Sequence, residues 1–139
     1  MPSTIRIACP KADTIFGEIF YPGLIIDVWL NSIGYQPFEF ILDSGADCTM
    51  VPRSISVLLG IRLPTLPDTY VAGISGRGIP AYKGRLKLRI QGEEFEVRCL
   101  FTKSDRTPFL LGRLDVFSLF HVHFDGHNCQ IILKKRRTK

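Results

Sequence analysis

The chain has 139 residues, 45% of them hydrophobic and 22% charged, enough apolar content for one domain with a real core and too much for a linker or disordered segment. No apolar run reaches membrane-spanning length, and Met1-Pro2-Ser3-Thr4-Ile5-Arg6-Ile7 lacks the continuous apolar stretch of a signal peptide, so a soluble, cytoplasmic protein with no membrane partner is expected. Five of the 18 Lys/Arg lie at Lys134, Lys135, Arg136, Arg137 and Lys139, leaving thirteen against thirteen Asp/Glu: a neutral body, residues 1–133, carries a basic tail, residues 134–139, expected as a disordered solubilising end rather than a nucleic-acid site.

In chain order, Thr14 to Phe20 suits an edge strand, and Leu24-Ile25-Ile26-Asp27-Val28-Trp29-Leu30 is a clearer one, rich in branched and aromatic residues. Asn31 to Gly34 turns the chain toward a second strand, Phe38 to Leu42, which ends at Asp43. Pro52 opens a short helix with Ser54 to Leu59 as its body and Gly60 as its stop. Pro64 and Pro67 argue for an extended connection. Thr69 to Tyr82 then reads as two strand arms around the glycine-rich tip Gly73-Ile74-Ser75-Gly76-Arg77-Gly78-Ile79, the composition of a segment that can flex.

Leu86, Leu88 and Ile90 alternate with charged residues, Gln91-Gly92-Glu93 turns, and Phe95, Val97, Cys99 and Phe101 repeat the alternation, which describes strands with one wet face. Thr107-Pro108 breaks the chain before Phe109-Leu110-Leu111-Gly112-Arg113, and Leu114 to Phe120 suits a short amphipathic helix. His121 to Phe124, a turn at Asp125-Gly126-His127-Asn128, and Cys129 to Leu133 close the fold as a hairpin. Eight or nine short strands with one or two short helices make a mainly β domain, a small closed barrel.

Cys9, Cys48, Cys99 and Cys129 are widely spaced with no C-x-x-C, so reduced thiols are expected rather than a zinc site or a disulfide framework. His121 and His123 share a strand face near His127, but a solvated hairpin accounts for them. No metal or other cofactor is expected.

The stretch Phe40-Ile41-Leu42-Asp43-Ser44-Gly45-Ala46-Asp47-Cys48-Thr49-Met50-Val51 holds the candidate for acid/base chemistry. An apolar strand delivers Asp43 into a tight loop at Gly45, and a carboxylate buried there must be partnered, hydrogen-bonded or protonated. Asp43-Ser44-Gly45-Ala46 resembles the active-site signature of the retropepsin-like aspartic proteases. The tip Gly73 to Gly78 stands where that family has its flap, and Leu110-Leu111-Gly112-Arg113 follows in the matching order.

The resemblance implies an acid-protease-type barrel with a glycine-rich flap and a peptide or protein substrate. It also implies a homodimer, since the one Asp-Ser-Gly gives one carboxylate where the chemistry uses two. Asp43 would be catalytic. Ser44, Gly45, Ala46, Asp47 and Arg113 would support the loop, with Asp47 and Arg113 as a bidentate pair, and Gly73 to Ile79 would bind substrate. The alternative is the same barrel as a catalytically silent peptide- or protein-binding module. Leu114 stands where retroviral relatives carry Asn or Asp, with Asp115 one place later.

Overall fold

The computed structural model of the chain describes residues 4–72 and 78–136. Its centre is one sheet that closes on itself. The strands are β4 (Gly23–Leu30), β5 (Gly34–Leu42), β6 (Thr49–Val51), β8 (Gly78–Ile90), β9 (Glu93–Thr102) and β10 (Leu110–Leu111), hydrogen-bonded in the order β4-β5-β10-β6-β9-β8. Pairing of Asp27 with Arg89 and of Val28 with Leu88 joins β4 back to β8 and completes a six-stranded barrel. At that seam the Arg89 guanidinium donates to Asp27 at 2.9 and 3.1 Å and lies over the Tyr35 ring, 4.1 Å from its centroid.

Alternation decides which side chains fill the barrel. Leu24, Ile26, Val28 and Leu30 of β4 point inward against Phe40 and Leu42 of β5, Leu86, Leu88 and Ile90 of β8, and Val97, Cys99 and Phe101 of β9, all buried. The strand β7 (Asp68–Ala72) continues the sheet beyond β8, pairing from Asp68 with Tyr82 to Ala72 with Gly78. Gln91 and Gly92 both take positive φ, 46° and 85°, the tight connection that a β8–β9 hairpin requires.

Outside the barrel, β1 (Thr4–Ala8), β12 (Gln130–Lys135) and β11 (Phe120–Asp125) form a three-stranded sheet that buries Ile5, Phe120, Ile131 and Leu133. A separate two-stranded hairpin, β2 (Lys11–Thr14) and β3 (Gly17–Phe20), links it to the barrel. The helix α1 (Arg53–Leu58) starts after Pro52 and stops at Gly60, whose φ is +72°. The described residues contain no helix long and apolar enough to cross a membrane.

Four expectations need correction. Thr14 to Phe20 is not one strand, because the Thr14 hydroxyl donates to Gly17 O at 2.8 Å and accepts the Phe16 N–H at 3.0 Å, folding the chain back between β2 and β3. The segment after Arg62 is a 3-10 turn, Leu63–Thr65, instead of fully extended chain. The expected helix from Leu114 to Phe120 is instead a run of turns over Leu114 to Leu119 with Phe120 already in β11, since Asp115 adopts φ +67° and places its carboxylate on Arg98. Lys134 and Lys135 are not tail but the end of β12, where Lys134 pairs with both Thr4 and His121.

Candidate active site

Asp43 is set by three strands. β10 lies parallel to the end of β5, with Leu110 opposite Ile41 and Leu111 opposite Leu42, and its other edge faces β6 at Met50. The Asp43 N–H donates to Leu111 O at 3.0 Å, so the last rung of this ladder fixes the backbone of the carboxylate-bearing residue. The chain then turns at once: Ala46 N–H donates to Asp43 O at 3.1 Å, and Gly45 N–H to Asp43 Oδ1 at 2.9 Å. Gly45 does not occupy the left-handed region. What it supplies is room, because a Cβ there would stand 3.2 Å from Asp43 Oδ1.

The loop from 43 to 49 and the segment from 111 to 114 are zipped together along their length. Arg113 N–H donates to Ala46 O at 3.0 Å and Leu114 N–H to Asp47 O at 2.9 Å. The Arg113 guanidinium adds one hydrogen bond to Asp47 Oδ1 at 2.7 Å, where two were expected, and Asp47 is largely exposed. Deeper in, the Gly112 N–H donates to the hydroxyl of Thr49, a fully buried side chain, at 3.2 Å. Gly112 approaches so closely that a Cβ would lie 2.3 Å from the carbonyl carbon and oxygen of Cys48. Backbone fills the space where a side chain would go.

Asp43 is half-buried, less enclosed than the buried carboxylate expected from the apolar flanks, and Ser44 is exposed. The carboxylate sits at the mouth of the loop beside an apolar hollow of about 330 Å³ lined by Phe20, Pro22, Ile41, Leu42, Asp43, Ser44 and Phe124. Of the flap candidates, Gly78 and Ile79 begin β8, paired with Ala72 and Val71, and Ile79 is half exposed. Gly73, Ile74, Ser75, Gly76 and Arg77 lie outside the described residues.

The aspartyl protease family model matches residues 26–114 of the chain, from the first core strand of the barrel to the far side of the zipped loop. The chain belongs to the aspartyl protease family. No curated protein matches it. Among solved structures, the retropepsin-like aspartic protease from Rickettsia conorii superposes with a TM-score of 0.66 at 21% identity, covering 97% of this chain and 92% of that one. The EIAV protease complexed with the inhibitor HBY-793 gives 0.51 at 21% identity, over 67% of this chain and 82% of that one. The fold of this aspartyl protease family member is therefore retropepsin-like.

Two supports of the loop in this family member were not singled out from sequence. Thr49 is one, and its only signal is a hydroxyl directly before the apolar pair Met50-Val51. The other is the Arg98–Asp115 pair: the Arg98 backbone N–H and Nε donate to Asp115 Oδ2 at 2.8 and 3.0 Å, and Nη2 to Oδ1 at 2.8 Å. The Arg98 side-chain hydrogen bonds hold the Asp115 carboxyl below its ordinary range, and the pair straps the turn after Arg113 to β9. All four cysteines are free. Burial pushes the Cys99 thiol up to about 12 and also raises Cys48, where Asp47 adds to the effect, so neither is poised as a thiolate nucleophile.

Proposed function

We propose that the chain is an aspartic endopeptidase that hydrolyses peptide bonds as a homodimer, with one Asp43 from each copy activating a shared water. The observation that carries this reading is a single carboxylate held by its own loop yet open on one side. Among the described residues, the one hydrogen-bond partner of the Asp43 carboxylate is the Gly45 N–H, and the adjoining Ser44 is exposed. A two-fold axis beside Asp43 supplies the second acid.

Two carboxylates at hydrogen-bonding distance do not both ionise, so the pair holds one proton between them. The ionised partner removes a proton from water as its oxygen attacks the scissile carbonyl carbon, and the protonated partner donates to the carbonyl oxygen. The resulting tetrahedral diol collapses when the amide nitrogen takes a proton and the C–N bond breaks, with no covalent enzyme intermediate. Ser44 hydroxyls would bond across the dimer and hold the two loops in register.

The arms β7 and β8 lead to the segment that would close over an extended substrate as a flap, with Ile79 lining a side-chain pocket. Apolar side chains on either side of the cut suit such a cleft.

Asp43→Asn tests the reading, because Asn keeps an Oδ1 acceptor for the Gly45 N–H while losing the acid. Cleavage of extended peptides with apolar side chains at the cut should vanish while the dimer persists. Unchanged turnover in D43N refutes the proposal, and a folded wild-type dimer without turnover on any peptide favours the silent peptide-binding module.

A further inference from the structure

The hairpin β2–β3 has an unusual composition for its position. A two-residue β-turn at the end of a hairpin ordinarily carries Asn, Asp or Gly, but here the turn positions are Ile15 and Phe16, 92% and 91% exposed. The turn is nonetheless well built: Thr14 pairs with Gly17, the Thr14 hydroxyl bonds both Gly17 O and the Phe16 N–H, and Gly17 takes φ +101°. The two apolar side chains are thus displayed on a defined support. A two-stranded ribbon with no third strand is at best marginally stable in water, and the half-exposed Ile19 adds to the uncovered apolar surface.

The hairpin is rooted beside the Asp43 loop. Its last residue, Phe20, lines the same hollow as Asp43 and Ser44 and packs edge-to-face on Phe124 at 6.5 Å. The root is clamped by Tyr21 N–H to Pro10 O at 3.0 Å and by Cys9 N–H to Cys129 O at 2.8 Å. Two strands of four residues extend about 14 Å at the usual rise of a strand. On the shared-Asp43 reading the dyad lies at that hollow, where the root of the hairpin also sits.

We propose that the β2–β3 hairpin is a dimerisation arm, and that its Ile15–Phe16 tip packs on the second copy of this chain across the dyad that pairs the two Asp43 residues. The inference rests on the shared-Asp43 reading, since it is the incomplete site that calls for the second copy. Because the arm is used reciprocally, each dimer buries two such tips.

The test is the double variant I15S/F16S of the full chain, measured by sedimentation velocity over a range of concentrations beside the wild type, with circular dichroism to verify the fold. Two apolar side chains per protomer leave the interface, so the dissociation constant of the dimer should rise at least about a hundredfold. Phe16→Leu keeps the tip apolar and should stay within about tenfold of the wild type. If I15S/F16S dimerises as tightly as the wild type, the tip covers some other surface, a lipid bilayer or a different protein, and the inference falls while the shared-Asp43 reading stands. Equal weakening in both variants also overturns it, since apolar burial would then not be the cause. A wild-type chain that is monomeric at every concentration removes the shared-Asp43 reading itself, and the arm with it.

Discussion

Gly112→Ala should be among the most damaging single-methyl additions in this protein. The new Cβ would stand 2.3 Å from the Cys48 carbonyl carbon and oxygen and 2.7 Å from its Cα. All three are backbone atoms, so no rotamer change relieves the clash. Gly112 and the loop must separate by about 1 Å, and overpacking of this kind costs about 1–3 kcal/mol. That movement also pulls the Gly112 N–H away from the buried Thr49 hydroxyl, a bond already 3.2 Å long, and a stranded buried polar group costs about 1–3 kcal/mol more.

A total near 4 kcal/mol is a large part of the ~5–15 kcal/mol that holds a typical domain together. Urea unfolding is the assay. With a slope near 2 kcal/mol per molar, the midpoint should fall by about 2 M. Gly126→Ala is the control, since a Cβ at Gly126 meets nothing within 4 Å and its φ lies outside the left-handed region, and it should change stability by less than about 0.5 kcal/mol. If G112A unfolds within about 1 kcal/mol of G126A, the close approach of the two segments is not what holds the Asp43 loop.

Thr49→Val preserves volume but removes the acceptor of the Gly112 N–H, and urea unfolding should show a loss of about 1–3 kcal/mol. Combined with G112A its effect should be less than additive, because both variants break the same contact. Asp115 has a folded pKa below its ordinary 3.8, the Arg98 hydrogen bonds being the main cause. Its contribution to stability is therefore present above 3.8 and lost as pH falls through the lower folded value. Asp115→Asn tolerates the left-handed backbone and removes the charge, so its stability should decline less steeply than the wild type below pH 3.8, as read by thermal unfolding across that range. Parallel wild-type and D115N curves would contradict the pairing.

The β8–β9 ribbon was readable in the sequence because a single alternation, from Leu86 to Phe101, decides which face is wet, and Gln91-Gly92 permits the turn. α1 was equally plain, bracketed by Pro52 and Gly60. These are local signals. Leu114 to Phe120 was misread because its apolar spacing suits a helix, while the deciding contact is Asp115 with Arg98, distant in sequence and on another strand. Thr14 to Phe20 was misread for the opposite reason: a side-chain hydrogen bond of Thr14 overrode a stretch with strong strand propensity.

At the candidate site the Asp43-Ser44-Gly45 loop could be picked out by its apolar flanks and its glycine, whereas the Asp47–Arg113 contact followed from the family resemblance. The buried bond between Thr49 and Gly112 could not, because nothing in either residue announces a partner 63 positions away.

Mixing wild-type protein with D43N at fixed total concentration, and following peptide cleavage after subunit exchange, tests the shared site most directly. If every active dimer needs two intact Asp43 residues, activity follows the square of the wild-type fraction, so an equal mixture retains about one quarter of the wild-type rate. Activity that falls in simple proportion, to about one half, would mean that each chain works alone.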